Sequence, residues 1–390
     1  MKRRTLLKSL AAASAVSFAG QLWAAPASKT RLLFVFMRGG YDATSLLVPI
    51  SSQYYYEVRP NIAIARTAVL PLDADWGLHP ALRDTIHPLF TAGQAAFVPF
   101  AGTEDLSRSH FETQDSIELG QALDRKRDYR SGFLNRLAAT LNADRASAIA
   151  FTDQLPLIMQ GELQVPNTAL RNVAKPAVDA RQARMIAAMY DGTALAQPVR
   201  DGFTVREDVM KDMIGEMDAA NRNAITAKGF ELEARRIAKV MKEHYNIGFV
   251  DVGGWDTHVG QGNATGYLAN RLEELGKGLA GFAQEMGPDW KDTVVVVVSE
   301  FGRTFRENGN RGTDHGHGTV YWVLGGGIDG GKIRGEQVRL EQPALFQNRD
   351  YPVLNEYRAM FGGLLARMYG LNAGQVEKIF GTPGRDLGLV

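Results

Sequence analysis

Residues 293–324, TVVVVVSEFGRTFRENGNRGTDHGHGTVYWVL, contain the pattern that decides the fold. They begin with five consecutive valines, a short β-branched run that predicts a strand buried on both faces of a sheet. Charged residues follow directly, and after a loop rich in Gly, Asn and Arg a second strand-like run covers 319–324. Functional groups of open α/β sheets collect at the carboxyl ends of the strands. This order therefore predicts an α/β protein with a polar site just beyond the valine strand.

The same order, an apolar run followed by acidic or imidazole side chains, occurs at two earlier places. Residues 31–37 (RLLFVFM) precede a Gly-Gly turn and Asp42, and residues 247–252 precede Gly-Gly-Trp-Asp-Thr-His, which ends at His258. Carboxyl ends of parallel strands lie at one edge of a sheet, so we expect these polar residues to share a site. The sequence thus predicts one site built from several strand ends.

The remaining patterns add helices and further strands to the predicted α/β sheet. Leucines and other apolar residues advance by four and three between 268 and 286, which predicts an amphipathic helix and a parallel strand–helix–strand unit with its neighbours. A helical block at about 179–245, with methionines spaced as on one helix face between 209 and 217, is interpreted as a helical insertion. Further elements are predicted as strands at 95–100, 148–152 and 157–159 and as a closing helix at 354–369.

The candidate metal ligands are the acids and histidines that follow the predicted strands: Asp42, Asp256, His258, Glu300, Asp314, His315 and His317. The chain has no cysteine, so disulfides and thiolate metal sites are excluded. A mixed carboxylate and imidazole set suits a divalent ion such as zinc, manganese, calcium or magnesium. Pairs two residues apart can share an ion where the backbone is extended. His79, His87 and His244 are interpreted as structural.

Two residues have both a structural and a chemical interpretation. Ser109 with Glu112 three residues later forms a capping-box pattern at the start of a predicted helix, and a hydroxyl at that place is also suited to attack or to anion binding. Arg303 is either an anion holder for phosphate or sulfate or a salt-bridge partner of Glu300. The sequence leaves both pairs of alternatives open.

Residues 1–27 have the features of a twin-arginine signal peptide: a Lys-Arg-Arg start, an apolar run from 10 to 22 and small residues at the cleavage site. We therefore expect a periplasmic or otherwise exported protein with a single domain over 28–390. A net charge of +1 offers no argument for nucleic-acid binding. No other segment is apolar and long enough for a stable membrane span once the signal is cleaved.

The motifs RGGYD, SRSHFETQD, GGWDTH, SEFGRT and DHGHG occur in the order found in an exported bacterial family, domain of unknown function 1501, which the chain resembles over nearly all of residues 28–390. That family resembles the alkaline phosphatase-like superfamily, which includes sulfatases. The resemblance implies a doubly wound, mostly parallel sheet with helices on both faces. The resemblance implies metal-assisted hydrolysis of a phosphate or sulfate ester, with a small-molecule or glycan ester as substrate.

By the same resemblance, Asp42 is a first-strand metal ligand, Asp256 and His258 are a ligand pair, and His315 or His317 is a late ligand. Ser109, with Ser107 as the less favoured choice, matches the nucleophile position. The chain departs from the superfamily where Glu300-Phe301 replaces Asp-His after the valine strand. That change leaves an alternative, a non-catalytic envelope protein that binds a glycan, an anionic ligand or an exported protein partner.

Overall fold

A computed structural model of the chain describes residues 29–124, 126–142, 145–169, 180–202 and 229–390. The predicted signal peptide at 1–27 and the methionine-rich helical pattern at 209–217 lie outside these ranges. The described residues form a central sheet of eight strands with helices packed on both of its faces, and a small second sheet of three strands. The predicted α/β fold class is confirmed.

The strands of the central sheet are β1 (Arg31–Arg38), β5 (Ala95–Gly102), β6 (Ala148–Ala150), β7 (Ile247–Gly253), β8 (Thr293–Ser299), β9 (Thr319–Gly325), β10 (Lys332–Ile333) and β11 (Asn355–Glu356). Their order is β10-β5-β9-β8-β1-β7-β6, and β11 also pairs with β5. The second sheet contains β2 (Leu47–Pro49), β3 (Leu70–Pro71) and β4 (Trp76–Leu78), all antiparallel.

The central sheet is mostly parallel, as predicted, and one described strand runs opposite to the others. β1 pairs in parallel with β7 and β8, whereas β9 runs antiparallel to both of its neighbours, β5 and β8. β7 and β8 are parallel to each other, as the strand–helix–strand unit predicts, but β1 lies between them. Because β9 runs backwards, it begins at the edge where β1, β7 and β8 end, and its preceding loop lies at that edge.

The helices are α1 (Ala43–Leu46), α2 (Gln53–Val58), α3 (Ile86–Thr91), α4 (His110–Leu119), α5 (Phe133–Leu141), α6 (Ala180–Met189), α7 (Phe230–Glu243), α8 (Tyr267–Met286), α9 (Tyr357–Tyr369) and α10 (Ala373–Phe380). Alternate residues of the buried strands point to opposite faces of the sheet. Leu33 and Val35 pack in a core that includes α7 and α8, and Phe34 and Phe36 in a second core with α5, α9 and α10. These two cores account for the helices on both faces.

Two local predictions need correction or refinement. The predicted strand at 157–159 is a 3-10 helix that begins after Pro156, because a proline there removes a ladder donor and favours a turn. The helix α7, at the C-terminal end of the predicted insertion, packs on the sheet. Its residues Ala234, Ile237 and Met241 are buried in the same core as Leu33 and Val35. No helix among the described residues combines the length and the hydropathy needed to cross a membrane.

Candidate metal centre

Four side chains meet at the carboxyl edge of the sheet: His110, Asp256, His258 and His315. Asp256 and His258 lie in the loop after β7, and His315 lies in the loop between β8 and β9. His110 is the first residue of α4, which follows β5. The strands β5, β7 and β8 all end at this edge. The segments that follow these three strands therefore bring the four side chains together.

The three imidazole rings approach one another through the same atom. His315 Nε2 lies 3.0 Å from His110 Nε2 and 3.1 Å from His258 Nε2. The Asp256 carboxylate completes the group, with Oδ1 at 2.9 Å from His258 Nε2 and 3.4 Å from His315 Nε2, and Oδ2 at 3.6 Å from His110 Nε2. The ligand atoms of His110, Asp256 and His315 all lie within 4.8 Å of one another, and His258 Nε2 adjoins this group through its contacts with His315 and Asp256. We name these four residues the histidine–aspartate cluster.

The other ring nitrogen of each histidine has an acceptor. His110 Nδ1 lies 2.8 Å from Glu300 Oε1, His315 Nδ1 lies 3.0 Å from the Arg108 carbonyl oxygen, and His258 Nδ1 lies 3.3 Å from Asp314 Oδ1. A carboxylate or carbonyl oxygen only accepts, so in each pair the Nδ1–H donates. In a neutral ring with a proton on Nδ1, the Nε2 atom carries a lone pair.

The donor set of the histidine–aspartate cluster fits a divalent metal ion. The Nε2 atoms of His110 and His315 lie 3.0 Å apart, and two neutral rings that donate from Nδ1 need a proton or a cation between their Nε2 lone pairs. Metal-ligating histidines typically donate their second ring N–H to a carboxylate or a carbonyl, as all three rings do here. Three imidazoles and one carboxylate match nitrogen-preferring ions such as zinc better than calcium or magnesium, which prefer oxygen. The cluster could hold one such ion.

Close backbone packing holds the loop after β1 against this cluster. Gly39 and Gly40 have φ values of +127° and +60°, in the region that side chains disfavour. A Cβ atom on Gly40 would lie 2.3 Å from the Phe301 ring, and one on Gly39 would lie 2.8 Å from the Asp256 backbone nitrogen. Phe301 in turn packs on the His110 ring, with a centroid separation of 4.9 Å. The glycines thus allow the β1 loop to pack directly against the site.

Glu300 lies behind His110 instead of inside the cluster. Its Oε1 accepts hydrogen bonds from His110 Nδ1, the Gln114 side chain and the Gly39 backbone, each at 2.8 Å, and its Oε2 accepts one from Ser299. Burial alone would raise the pKa of Glu300, but these bonds to the charged form, led by that from His110, lower it below the usual range. Glu300 is therefore an ionised anchor for the His110 ring, whereas the sequence predicted a direct ligand.

Arg303 pairs with Asp256 and not with Glu300. Its side chain is buried, donates to Asp256 Oδ1 and also donates to the backbone carbonyls of Gly39 and Gly40. Burial would raise the pKa of Asp256, but the Arg303 hydrogen bond and charge lower it, so the carboxylate is ionised. Arg303 Nη1 lies 3.4 Å from His258 Nε2. Most hydrogen-bond donors of Arg303, the predicted anion holder, therefore bind groups of the protein itself.

Asp42 lies outside the cluster, in a buried ion pair. Arg59 donates to both of its oxygens, at 2.6 and 3.0 Å, and Ser45 and Gln261 each donate to Oδ2 at 2.7 Å. Asp42 and Arg59 are both fully buried. The structure therefore does not bring Asp42 to the cluster, because an internal guanidinium already neutralises it.

The two other candidate ligands in the loop before β9 occupy different places. Asp314 accepts from His258 Nδ1 and from the Asn308 side chain, and so anchors His258. His317 packs on Phe346, and burial followed by the nearby Arg108 charge lowers the pKa of His317 to about 4. His317 is not part of the cluster. His79, interpreted as structural, is buried and hydrogen-bonds to backbone groups of Ala81 and Asn263.

The serines before His110 differ in their contacts. Ser109 is the N-cap residue of α4, but its side chain makes no capping hydrogen bond, so the predicted capping box is not formed. The Ser107 hydroxyl instead accepts a hydrogen bond from the Ser109 backbone N–H, at 3.2 Å. Of the two hydroxyls, that of Ser109 is therefore the one left unused by the local turn.

Sequence reasoning missed His110. The residue stands inside the quoted motif SRSHFETQD, directly after Ser109, where a helix start follows the loop from β5. The available signal was an imidazole at a strand-to-helix connection, the same kind of place that marked the other candidates.

Comparison with known families supports one assignment. The family described as "Protein of unknown function (DUF1501)" matches residues 29–380. A search of the curated proteins found no match.

Among solved structures, the chain is similar to a protein in the alkaline phosphatase superfamily from Vibrio parahaemolyticus, with a TM-score of 0.38 and 10% identity over 85% of this chain and 70% of that chain. It is also similar to Ps i-CgsB in complex with k-i-k-neocarrahexaose, with a TM-score of 0.39 and 8% identity over 93% of this chain and 76% of that chain. Likeness at this level says nothing about activity.

Proposed function

The chain belongs to the DUF1501 family, and we propose that it is an exported, metal-dependent hydrolase acting on a phosphate or sulfate ester. The observation that carries the proposal is the histidine–aspartate cluster, in which each ring nitrogen facing away from the centre has an acceptor of its own. Export to the periplasm by the twin-arginine pathway belongs to the same proposal and rests on residues 1–27.

The proposed ligands are His110, Asp256, His258 and His315. A divalent cation held by them would act as a Lewis acid that polarises an ester oxygen. Glu300 and Asp314 keep His110 and His258 in the tautomer that binds metal through Nε2. Arg303 holds Asp256 in place and keeps it ionised. In this proposal the cluster binds the cation, and the residues around the cluster orient its ligands.

Ser109 is the proposed nucleophile, in preference to Ser107. It precedes His110 directly and lies at the start of α4, where backbone N–H groups and the helix dipole favour a developing negative charge. Its hydroxyl is free of the capping bond that the sequence pattern suggested. Ser107 is less suited because its hydroxyl accepts from the Ser109 backbone. Replacement of Ser109 by Ala would then abolish turnover and leave metal content unchanged.

The proposal is tested by elemental analysis of the mature protein, purified without chelator or histidine tag. We expect close to one equivalent of a transition ion, and its loss in a His110→Asn/His315→Asn variant. His87→Asn is a matched control, because it removes an imidazole that lies outside the cluster. The metal-loaded protein is then assayed with 4-nitrophenyl phosphate, bis(4-nitrophenyl) phosphate and 4-nitrophenyl sulfate. Absence of metal in the wild-type protein after reconstitution with zinc or manganese would overturn the proposal.

One observation favours a second candidate, an envelope protein that binds a glycan, an anionic ligand or an exported protein partner without catalysis. Two predicted metal ligands, Asp42 and Glu300, and the predicted anion holder Arg303 are all engaged in internal bonds. A site with few uncommitted charged groups is better suited to holding a ligand than to stabilising a transition state. Stoichiometric metal without turnover of any of the three esters would favour this candidate.

A further inference from the structure

His315 is held at two points by arginines that share one carboxylate. Its Nδ1 donates to the Arg108 carbonyl oxygen at 3.0 Å, and its own carbonyl oxygen accepts from Arg349 Nη2 at 2.9 Å. Arg108 donates from Nε and Nη2 to Asp350 Oδ2, at 3.0 and 2.7 Å, and Arg349 Nη1 donates to the same oxygen at 3.1 Å. Asp350 is therefore connected to the ring of His315 through Arg108 and to its backbone through Arg349.

The contact with Arg108 depends on an uncommon backbone conformation. Arg108 has φ +52°, in the left-handed region that residues with a Cβ atom seldom adopt. In that conformation its carbonyl oxygen receives the His315 N–H. Such conformations persist where the surroundings over-determine them, and here the paired hydrogen bonds from the Arg108 side chain to Asp350 supply that constraint.

The buried environment of the Asp350 side chain lowers the stability of the fold, which is unexpected for a residue with no function. Its side chain is fully buried, and while Oδ2 accepts three donors, Oδ1 has no hydrogen-bond partner among the described residues. A buried polar atom without a partner destabilises a fold. Its backbone is fixed as well, since its N–H and carbonyl both pair with Phe346. Asp350 is thus a rigid, buried carboxyl group placed between the two arginines that hold His315.

We infer that Asp350 is a positioning residue of the metal centre: through Arg108 and Arg349 it fixes the tautomer and the place of His315, so that Nε2 faces the cluster unprotonated. The inference deepens the proposed function and rests on it for the metal measurement alone. The lock on the His315 ring exists without metal and can be measured without it. Nothing in the sequence marks Asp350, which lies 35 residues beyond His315.

The test uses the full mature chain and the variant Asp350→Asn. Affinity for zinc is measured by competition with a chromophoric chelator, and the tautomer of His315 is read from long-range proton–nitrogen NMR of the metal-free protein. We expect zinc affinity to fall about 10–100-fold, as for loss of other supporting residues. We also expect the His315 signals to change from the Nδ1–H tautomer to a mixture. Wild-type affinity and an unchanged tautomer in Asp350→Asn would refute the inference.

Two controls separate positioning from folding. Asp329→Asn removes a carboxylate that also holds two basic side chains, Lys332 and Arg334, but on the surface, and it should leave both readouts unchanged. Leu364→Ala weakens the core on one face of the sheet and should lower stability without altering the tautomer. If Asp350→Asn does not fold, Arg108→Gln removes the link from the other side, and an unchanged His315 tautomer there would refute the inference.

The two proposals fail in different ways. A wild-type protein that binds no zinc would remove the metal-dependent function, yet the tautomer measurement would still decide the role of Asp350. Conversely, normal zinc binding with an unaltered His315 in both variants would leave the metal centre and remove Asp350 from it.

Discussion

Replacing Asp42 with Asn separates two roles for this residue, that of a metal ligand and that of a partner for a buried cation. Asp42 and Arg59 are both fully buried, and the guanidinium donates to the two carboxylate oxygens at 2.6 and 3.0 Å. Removal of one member of a buried pair leaves the other charge uncompensated and typically costs about 3–5 kcal/mol. We therefore expect Asp42→Asn to lower the free energy of unfolding by about that amount and to leave metal content unchanged.

The magnitude follows from what remains around Arg59 in the variant. Its Nε and Nη2 still donate to the carbonyls of Phe305 and Thr304, but neither carbonyl carries the negative charge that Asp42 supplied. The pKa of Asp42 has the matching sign: burial would raise it, and Arg59 lowers it below the usual value. This carboxylate therefore contributes stability above the unfolded pKa of about 3.9, which is lost as pH falls through the lower folded value.

The assay is urea unfolding at neutral pH followed by tryptophan fluorescence, with metal analysis of the same samples. Arg59→Met and the double variant complete a thermodynamic cycle, in which Arg59→Met should cost less in the Asp42→Asn background than alone. The reasoning is refuted if Asp42→Asn loses metal while its unfolding free energy changes by less than about 1 kcal/mol. In that case Asp42 would be the ligand that the sequence predicted.

Three further outcomes are expected. Glu300→Gln weakens the anchor of the His110 ring and should reduce zinc affinity about 10–100-fold in the chelator competition, with Tm measured beside it. The pKa of His317 is lowered to about 4, so between about pH 6.5 and 4 the unfolded chain binds a proton that the folded chain does not. Stability should therefore fall by about 3 kcal/mol from this residue as pH is lowered through that range, and His317→Gln should lack this part of the dependence. Gly40→Ala should lower Tm well below that of Gly381→Ala: both positions have φ near +60°, but a Cβ atom meets Phe301 at 2.3 Å only at the first. Equal Tm values for the two glycine variants would show that Phe301 yields.

Much of the fold could be predicted from local patterns. The strands β1, β7 and β8 are apolar runs because both of their faces are covered by helices, and such runs are recognisable without any knowledge of their neighbours. The direction of β9 could not be predicted in this way. An apolar β-branched run has the same pattern in either direction, and here β9 runs antiparallel to β5 and β8.

The sequence predicted where in the fold the site lies but not which residues form it. The acids and histidines of the three strand ends and of the loop before β9 do lie at one edge of the sheet, and Asp256, His258 and His315 meet there. Asp42 and Glu300 lie at the same edge but point to partners within the protein. A strand-end acid is a ligand or a salt-bridge partner depending on whether a cation packs against it, and Arg59 is 17 residues away in sequence from Asp42.

By itself the sequence determined the α/β class, the edge of the sheet at which polar groups collect and the absence of thiolate chemistry, because these depend on residue type and on short-range spacing. Only the tertiary structure decided which imidazoles lie together at that edge, that His110 is one of them, and that Asp350 binds the side chain of Arg108, whose carbonyl accepts from His315. The physical reason is that a ring nitrogen binds metal or donates a proton according to the atom that faces its other nitrogen. Those atoms belong to Glu300, Asp314 and Arg108. Each of these residues is distant in sequence from the histidine it contacts, so only the folded chain brings the two together.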